Sequence, residues 1–128
     1  MRWPMVNATI TRRFFATHCL PIAGGVVYPH GHDYVARFGF AHEMNPNFGT
    51  VGSKALCDWD ASVRECIELV DGQDLNTLLA PRLPTIEVLC LFMLSKLPGF
   101  FDWLELESYD PPFTARIDRK GARFEWLT

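Results

Sequence analysis

Apolar and polar residues alternate near the start of the chain. One face of an extended segment carries Ala8, Ile10, Arg12 and Phe14, and the other carries Thr9, Thr11, Arg13 and Phe15. This period of two, in a segment rich in β-branched and aromatic residues, predicts a half-buried strand. Prolines and glycines then mark a loop before a second apolar run. The elements predicted here are a strand over residues 6–18, a loop over 20–29, a second strand over 30–42 and a turn-rich connection over 43–52.

The middle of the chain has a helical period instead. Apolar residues at three- and four-residue spacing predict a helix from about residue 54 to 70, which Asp71-Gly72 ends. Thr85 is a good N-cap, and the residues after it predict a second helix that stops before Pro98-Gly99. This second helix is apolar almost all round, so we expect it to be buried on most sides. The positions that set the first helical period are Leu56, Trp59, Val63, Cys66, Ile67 and Val70.

Alternation returns near the end of the chain. A third strand is predicted over residues 101–109, with Leu106 on the face opposite to Glu107. After Asp110-Pro111-Pro112, residues 113–126 predict a fourth strand, or a short hairpin that turns at Lys120-Gly121. The order ββααββ predicts an antiparallel sheet with two helices on one face, which is an α+β class, in a single domain over residues 1–128.

Composition and charge exclude several kinds of protein. The 128 residues are 48% apolar and include ten Phe, which is enough for a core that needs no disulfide or metal. The net charge is −3 and no block of Lys or Arg is present, so we expect no nucleic-acid partner. No apolar run reaches the length of a membrane span, and the first residues lack the apolar region of a secretion signal. We therefore expect a cytoplasmic protein with reduced cysteines and no membrane partner.

The candidate chemistry is carried by histidines. His30 and His32 are two residues apart on a predicted strand, so their side chains point to the same side of the sheet. His18 ends the preceding strand, and a third imidazole from a neighbouring strand would leave one coordination position open. Three histidines with an open position are typical of a catalytic zinc site. The fourth histidine, His42, ends its strand without an evident partner, so we expect it to be solvated.

Six short segments resemble the 6-pyruvoyl-tetrahydropterin synthase / 6-carboxytetrahydropterin synthase family, which has the tunnelling fold. They follow the order and spacing of that family, and the resemblance covers nearly the whole chain. The most specific segment is His30-Gly31-His32-x-Tyr34. The other five are Phe15-Ala16-Thr17-His18, Asn45-Pro46-Asn47-Phe48-Gly49, Asp71-x-x-x-Leu75-Asn76, Pro84-Thr85-x-Glu87 and Leu106-Glu107-Ser108.

The resemblance implies a function and an assembly. It implies Zn²⁺ held by His18, His30 and His32, a pterin-like small-molecule substrate anchored by Glu107, and a pocket lined around Thr85. It also implies a homo-oligomer, usually a hexamer of two stacked trimers whose sheets close into barrels, with sites between subunits. A carboxylate suits a pterin because it accepts paired hydrogen bonds from the ring N–H and the exocyclic amine.

The chain departs from the family where protons are moved. The family has a cysteine four to six residues before the histidine pair, or a glutamate in a branch that cleaves the side chain, whereas this chain has Gly24, Gly25 and Val26 there. The family's relay histidine would follow Asp71, where Gly72 stands, and glycine carries no proton. The catalytic candidates are then Asp71 and Cys19, although Cys19 on a regular strand would face away from the metal. Other polar groups that could reach the site are Tyr28, Asp33 and Asp74.

Three hypotheses follow. The first is a zinc-dependent lyase or isomerase that acts on a dihydropterin such as dihydroneopterin triphosphate, with altered acid–base residues. The second keeps the zinc site for a non-pterin carbonyl or heterocyclic substrate of a specialised pathway. The third is a non-catalytic relative that binds a pterin or assembles with an active paralogue.

Overall fold

Two long antiparallel strands form the centre of the fold. A computed structural model describes residues 3–22, 24–51, 54–109 and 112–128. β1 (Met5–His18) pairs with β2 (His30–Asn45) along its whole length, with His18 opposite His30 at one end. Both predicted strands are confirmed, and β2 extends three residues beyond the expected end because its last residues pair with a two-residue strand, β3 (Thr50–Val51).

The remaining strands complete one sheet. β4 (Trp103–Tyr109) pairs with β2, and β5 (Pro112–Asp118) pairs with β4, all antiparallel. The strand order is β1-β2-β4-β5, so β1 and β5 are the outer strands of this path. The predicted antiparallel α+β architecture is confirmed. Residues 52, 53, 110 and 111, at two of the predicted turns, and residues 1 and 2 lie outside the described part of the chain.

The helices cover one face of the sheet. α1 (Leu56–Val70) packs on β1, and α3 (Ile86–Lys96) packs on β4 and β5. Between them, the four-residue α2 (Leu75–Leu78) is too short for a periodic signal and was not predicted. Thr85 caps α3 as predicted, because its Oγ1 accepts a hydrogen bond from Val88 N at 3.2 Å. The largest fully buried side chains between helices and sheet are Phe38, Phe40, Phe101, Leu75, Leu89, Met93, Leu94, Leu104 and Leu106.

The predicted fourth strand forms as β5, but it ends earlier than expected, at Asp118, and the hairpin alternative does not form. The chain leaves the sheet after Asp118, turns at Gly121 with φ at +85°, and ends in a 3₁₀ helix at Phe124–Leu127. Arg119 accounts for this departure: its Nε donates to Phe101 O at 2.6 Å and its Nη2 to Pro98 O at 3.1 Å. These bonds hold the chain against the end of α3, so the predicted hairpin does not form.

The expectation that His42 has no partner is wrong, although its side chain is still 37% exposed. Its ring stacks on Phe100 with centroids 4.1 Å apart and an interplanar angle of 9°, and Phe100 stacks on Trp59 at 3.7 Å. Its Nε2–H donates to Phe100 O at 3.0 Å. The partner comes from the segment after α3, almost sixty residues away, so the local sequence around His42 could not indicate it.

Among the described residues, no helix combines the length and the apolar character that crossing a bilayer requires.

Gly39 gives a test of the packing on the open face of the sheet. A Cβ at Gly39 would overlap the indole of Trp103, and the guanidinium of Arg116 lies over the same ring at 4.2 Å from its centroid. We expect Gly39→Ala to lower the free energy of unfolding by about 1–3 kcal/mol, because the indole must move. Urea denaturation measures this loss.

The control is the same substitution in a Trp103→Ala background. There the added methyl group has no ring to displace, and its cost should fall below about 0.5 kcal/mol. An equal cost in the two backgrounds would show that the ring is not the cause.

Candidate metal centre

Three histidines converge at one end of the β1–β2 pair. His18 ends β1, and His30 and His32 lie at alternate positions at the start of β2. Cross-strand pairing places His18 opposite His30, so alternation turns all three rings toward the helices. Their ring centroids are 4.6, 4.9 and 4.7 Å apart in the pairs 18–30, 18–32 and 30–32. One potential ligand atom from each lies within 4.8 Å of the others.

Backbone carbonyls orient two of the rings. His18 Nδ1–H donates to Pro84 O at 2.7 Å, and His30 Nδ1–H donates to Tyr28 O at 3.0 Å. A carbonyl oxygen only accepts, so the proton of each neutral ring is on Nδ1 and the lone pair is on Nε2. This second layer of hydrogen bonds is what metal-binding histidines usually have.

The environment of His18 favours its neutral form. Burial lowers the pKa of His18; the Pro84 carbonyl opposes this shift, and the nearby His30 adds to it. A neutral imidazole is the form that binds a metal. Three imidazole nitrogens therefore fit a divalent transition metal of the kind that histidine binds. Three donors also leave a coordination position open for another ligand.

A cavity of about 350 Å³ opens from the histidines toward the start of α3. Most of its wall is apolar, with Leu20, Val26, Ile86 and Phe113 among the contributors. A mainly apolar wall with a few polar groups is typical of a site for a small organic molecule. The polar side chains on the wall, apart from the histidines, are Tyr34, Thr85, Glu87 and Ser108.

Tyr34 is a buried tyrosine on the wall of this cavity. Its ring stacks on Phe14 at 4.8 Å and lies 5.9 Å from the ring of His32. Burial raises the pKa of Tyr34 to about 12. Its hydroxyl therefore keeps its proton at neutral pH and can donate a hydrogen bond, but it is not a base there.

The structure brings Thr85 to the cavity but not Glu107. Glu107 alternates with the buried Leu106 and Ser108, so it faces the other side of the sheet. There its Oε2 accepts a hydrogen bond from Arg37 Nη1 at 2.8 Å. Within one protomer, Glu107 therefore cannot share a ligand with the histidines. The alternation of Leu106 and Glu107 in the sequence already carried this signal.

The two catalytic candidates are also absent from this cavity wall. Asp71 Oδ1 accepts from Phe15 N at 3.0 Å, which ties the end of α1 to β1. Cys19 lines a second cavity of about 200 Å³ together with Asp74 and Asn76, and this cavity shares only His18 with the first. Both residues are thus placed away from the cavity by local backbone contacts at the end of β1.

Glu87 and Ser108 line the cavity and were not assigned a site role from the sequence. Glu87 could have been found, because the spacing Pro84-Thr85-x-Glu87 puts it in the first turn after the cap. The position of Ser108 follows from the alternation with Leu106. Neither could be tied to the histidines without knowing how α3 and β4 pack against β2.

Gly31 lies between the two histidines of β2 and leaves room for an aromatic ring on the other face of the sheet. A Cβ at this position would overlap the ring of Phe15, which lies across the strand on the face away from the cavity. The glycine lets this ring cover the backbone that carries both histidines.

The fold of this chain is that of known solved structures. No protein-family model matches the chain. No curated protein matches it either. The 6-pyruvoyl tetrahydropterin synthase of Caenorhabditis elegans is similar, with a TM-score of 0.74 and 21% identity over 92% of this chain and 99% of that chain. The synthase of Plasmodium falciparum has a TM-score of 0.66 and 9% identity over 89% and 98%.

A third similar structure is the Plasmodium vivax synthase in a mutant of a catalytic residue. Its TM-score is 0.55 and its identity is 13%, over 91% of this chain and 98% of that chain. At these identities the likeness establishes the fold and nothing finer. The tunnelling fold expected from the sequence is therefore confirmed.

The histidine cluster predicts selective metal binding. We expect the purified protein to hold one equivalent of a divalent transition metal, and His32→Ala to weaken binding by about 100-fold or more, since losing a ligand costs more than losing its supporting hydrogen bond. Elemental analysis after dialysis and Co²⁺ absorption spectra measure this.

The matched control is His42→Gln, because His42 lies outside the cluster and is bonded to Phe100. It should leave the metal content unchanged. Equal metal loss in the two variants, or no metal in the wild-type protein, would contradict a site built by these three rings.

Proposed function

We propose that this chain is a zinc-dependent enzyme of the 6-pyruvoyl/6-carboxy-tetrahydropterin synthase type, a lyase or isomerase that acts on a dihydropterin. The observation that carries the proposal is a trio of histidines at the floor of a 350 Å³ cavity. It lies on a fold shared with solved 6-pyruvoyl tetrahydropterin synthases. The six sequence segments that resemble this family support the same activity.

Each group of residues in the cavity would have a distinct role in the reaction. His18, His30 and His32 would hold Zn²⁺, which when bound polarises a carbonyl or hydroxyl oxygen. The apolar walls would cover a flat heterocycle and exclude water from it. The Tyr34 hydroxyl would donate a hydrogen bond to an oxygen of the substrate side chain. Thr85 would line the pocket with its backbone and hydroxyl, while its Oγ1 caps α3.

The backbone supports the proposal that the proton relay differs from that of the family. Gly24 lies on the cavity wall at φ +82°, and a Cβ at its neighbour Gly25 would lie 2.5 Å from Leu20 O. Gly72, in place of the relay histidine, has φ at +73°. Side chains rarely adopt these backbone angles, so this chain is shaped for glycine where the family carries its acid and base. A glutamate is a catalytic residue in the Plasmodium vivax synthase, so a carboxylate can serve on this fold.

A second candidate function keeps the zinc and changes the substrate. The observation in its favour is the same pair of glycine-shaped positions, because a different reaction needs no cysteine or histidine there. In that case the substrate is a non-pterin carbonyl compound or heterocycle. A third possibility is a non-catalytic protein that binds a pterin, and a pterin conversion assay distinguishes it from both enzymes.

We also propose that the chain works as a homo-oligomer, with a hexamer favoured. The outer strands β1 and β5 lie at the edges of the sheet path, and the last part of β1 is already bonded to residues 71–74. Pairing between copies would satisfy the remaining edge. Glu107 keeps its predicted role as ring anchor only in this setting, since its carboxylate could reach a substrate only in a neighbouring copy. Light scattering coupled to size-exclusion chromatography measures the assembly.

The proposed reaction is tested with Zn²⁺-loaded protein and dihydroneopterin triphosphate. We expect the substrate to be consumed and a product with an altered side chain to appear in mass spectra. His32→Ala should be inactive, because it loses a zinc ligand, whereas His42→Gln should retain activity.

Two other results would favour the alternative functions. Binding of the pterin without a product would overturn the enzymatic proposal and favour the non-catalytic relative. A metal-loaded protein that neither binds nor converts pterins, but converts a carbonyl substrate, would support the second candidate instead.

A further inference from the structure

We propose that Glu87 is the catalytic acid–base of this site, in place of the proton carriers that the chain lacks. The inference rests on the proposed function. It assigns proton transfer to a carboxylate on the first turn of α3, an element to which the sequence resemblance gave a role in lining the pocket.

The position of Glu87 is tied to the metal ligands. Pro84 O accepts the hydrogen bond of His18 Nδ1 at 2.7 Å, and Glu87 follows three residues later. Pro84 comes just before the N-cap Thr85, and Glu87 is the second residue of α3, in its first turn. Glu87 lines the same cavity as the three histidines. A molecule bound in this cavity would therefore lie between its carboxylate and the proposed metal.

The other polar groups on the wall are unsuited to this role. The three histidines are engaged as ligands in the proposed site. The Thr85 Oγ1 accepts the capping hydrogen bond from Val88 N. Ser108 is a buried alcohol that already has an interaction partner, and an alcohol is not a base near neutral pH. Burial keeps Tyr34 protonated, since it raises the pKa of its hydroxyl to about 12.

The carboxylate of Glu87 is not engaged elsewhere. Within the described part of the chain, no hydrogen bond or ion pair occupies it, and among the described wall residues it is the one acidic side chain. Glu107, by contrast, is paired with Arg37 on the opposite face. Glu87 is exposed and its backbone is held in the first turn of a capped helix, so a carboxylate without a partner there can both take up and return a proton.

The step that Glu87 would perform is a balanced proton transfer. A Glu87 carboxylate oxygen takes one proton from a C–H or O–H group of the substrate side chain, and the electron pair of that bond stays on the substrate. The carboxylic acid so formed returns the proton to another substrate atom. No oxidant, reductant or further reactant is needed.

The test is steady-state kinetics on the Zn²⁺-loaded protein with the pterin substrate that the wild-type enzyme converts. We expect Glu87→Gln to lower kcat by about 100-fold or more, the usual contribution of a general acid–base group, with KM changed less than about threefold. Metal content should be unchanged. Formate should partly restore the activity of Glu87→Ala, because it supplies a carboxylate in the space that the side chain leaves. Glu68→Gln, an exposed glutamate on α1, is the matched control and should keep wild-type rates.

The outcomes separate the two proposals. A wild-type protein that converts pterins while Glu87→Gln keeps its kcat would overturn the role of Glu87 and leave the proposed function standing. A rise in KM alone would also overturn it, since that result indicates substrate binding. A metal-loaded wild-type protein that converts no pterin would overturn the proposed function, and with it the inference.

Discussion

The register between β1 and β2 is the constraint on which the site depends. His18 is opposite His30, and Ala16 is opposite His32, in one continuous ladder that runs back to Met5. A shift of one residue would turn His18 to the other face of the sheet and leave two ligands without a third. The same register places Phe14 opposite Tyr34, and these two buried rings stack next to the histidines. Core packing and ligand geometry therefore stabilise the same pairing.

A single hydrogen bond then joins the sheet to the helical layer at the site. Pro84 O accepts from His18, and the next residue, Thr85, caps α3. Because Leu89 and Met93 of α3 are fully buried against the sheet, this helix start has little freedom to move. The position of α3 thus fixes both the orientation of the His18 ring and the location of Glu87. The cavity is a product of how the two layers pack, rather than of either layer alone.

The sequence predicted the strands and the histidine cluster because both depend on local periodicity. His30 and His32 lie on one face by alternation alone, and a hairpin from β1 brings His18 beside them. The walls of the cavity were less predictable, because they depend on where α3 packs. His42 was misjudged for the same reason: its stacking partner Phe100 is distant in sequence. Glu107 shows the reverse case, since its alternation with Leu106 indicated the face that it occupies, whereas the sequence resemblance placed it in the site.

The histidine cluster and the two glycine positions differ in how far their backbone can change. The three histidines stand on paired strands, where a change of backbone would break the ladder and expose the core. The positions where the family keeps its cysteine and relay histidine lie in a loop and at a helix end, where the backbone is free to adopt another conformation. Here Gly24 and Gly72 have φ of +82° and +73°. A side chain other than glycine is strained at such angles, so restoring a cysteine or histidine there requires the backbone to change as well. A proton carrier would arise more readily on a rigid element that already faces the cavity, and the first turn of α3 is such an element.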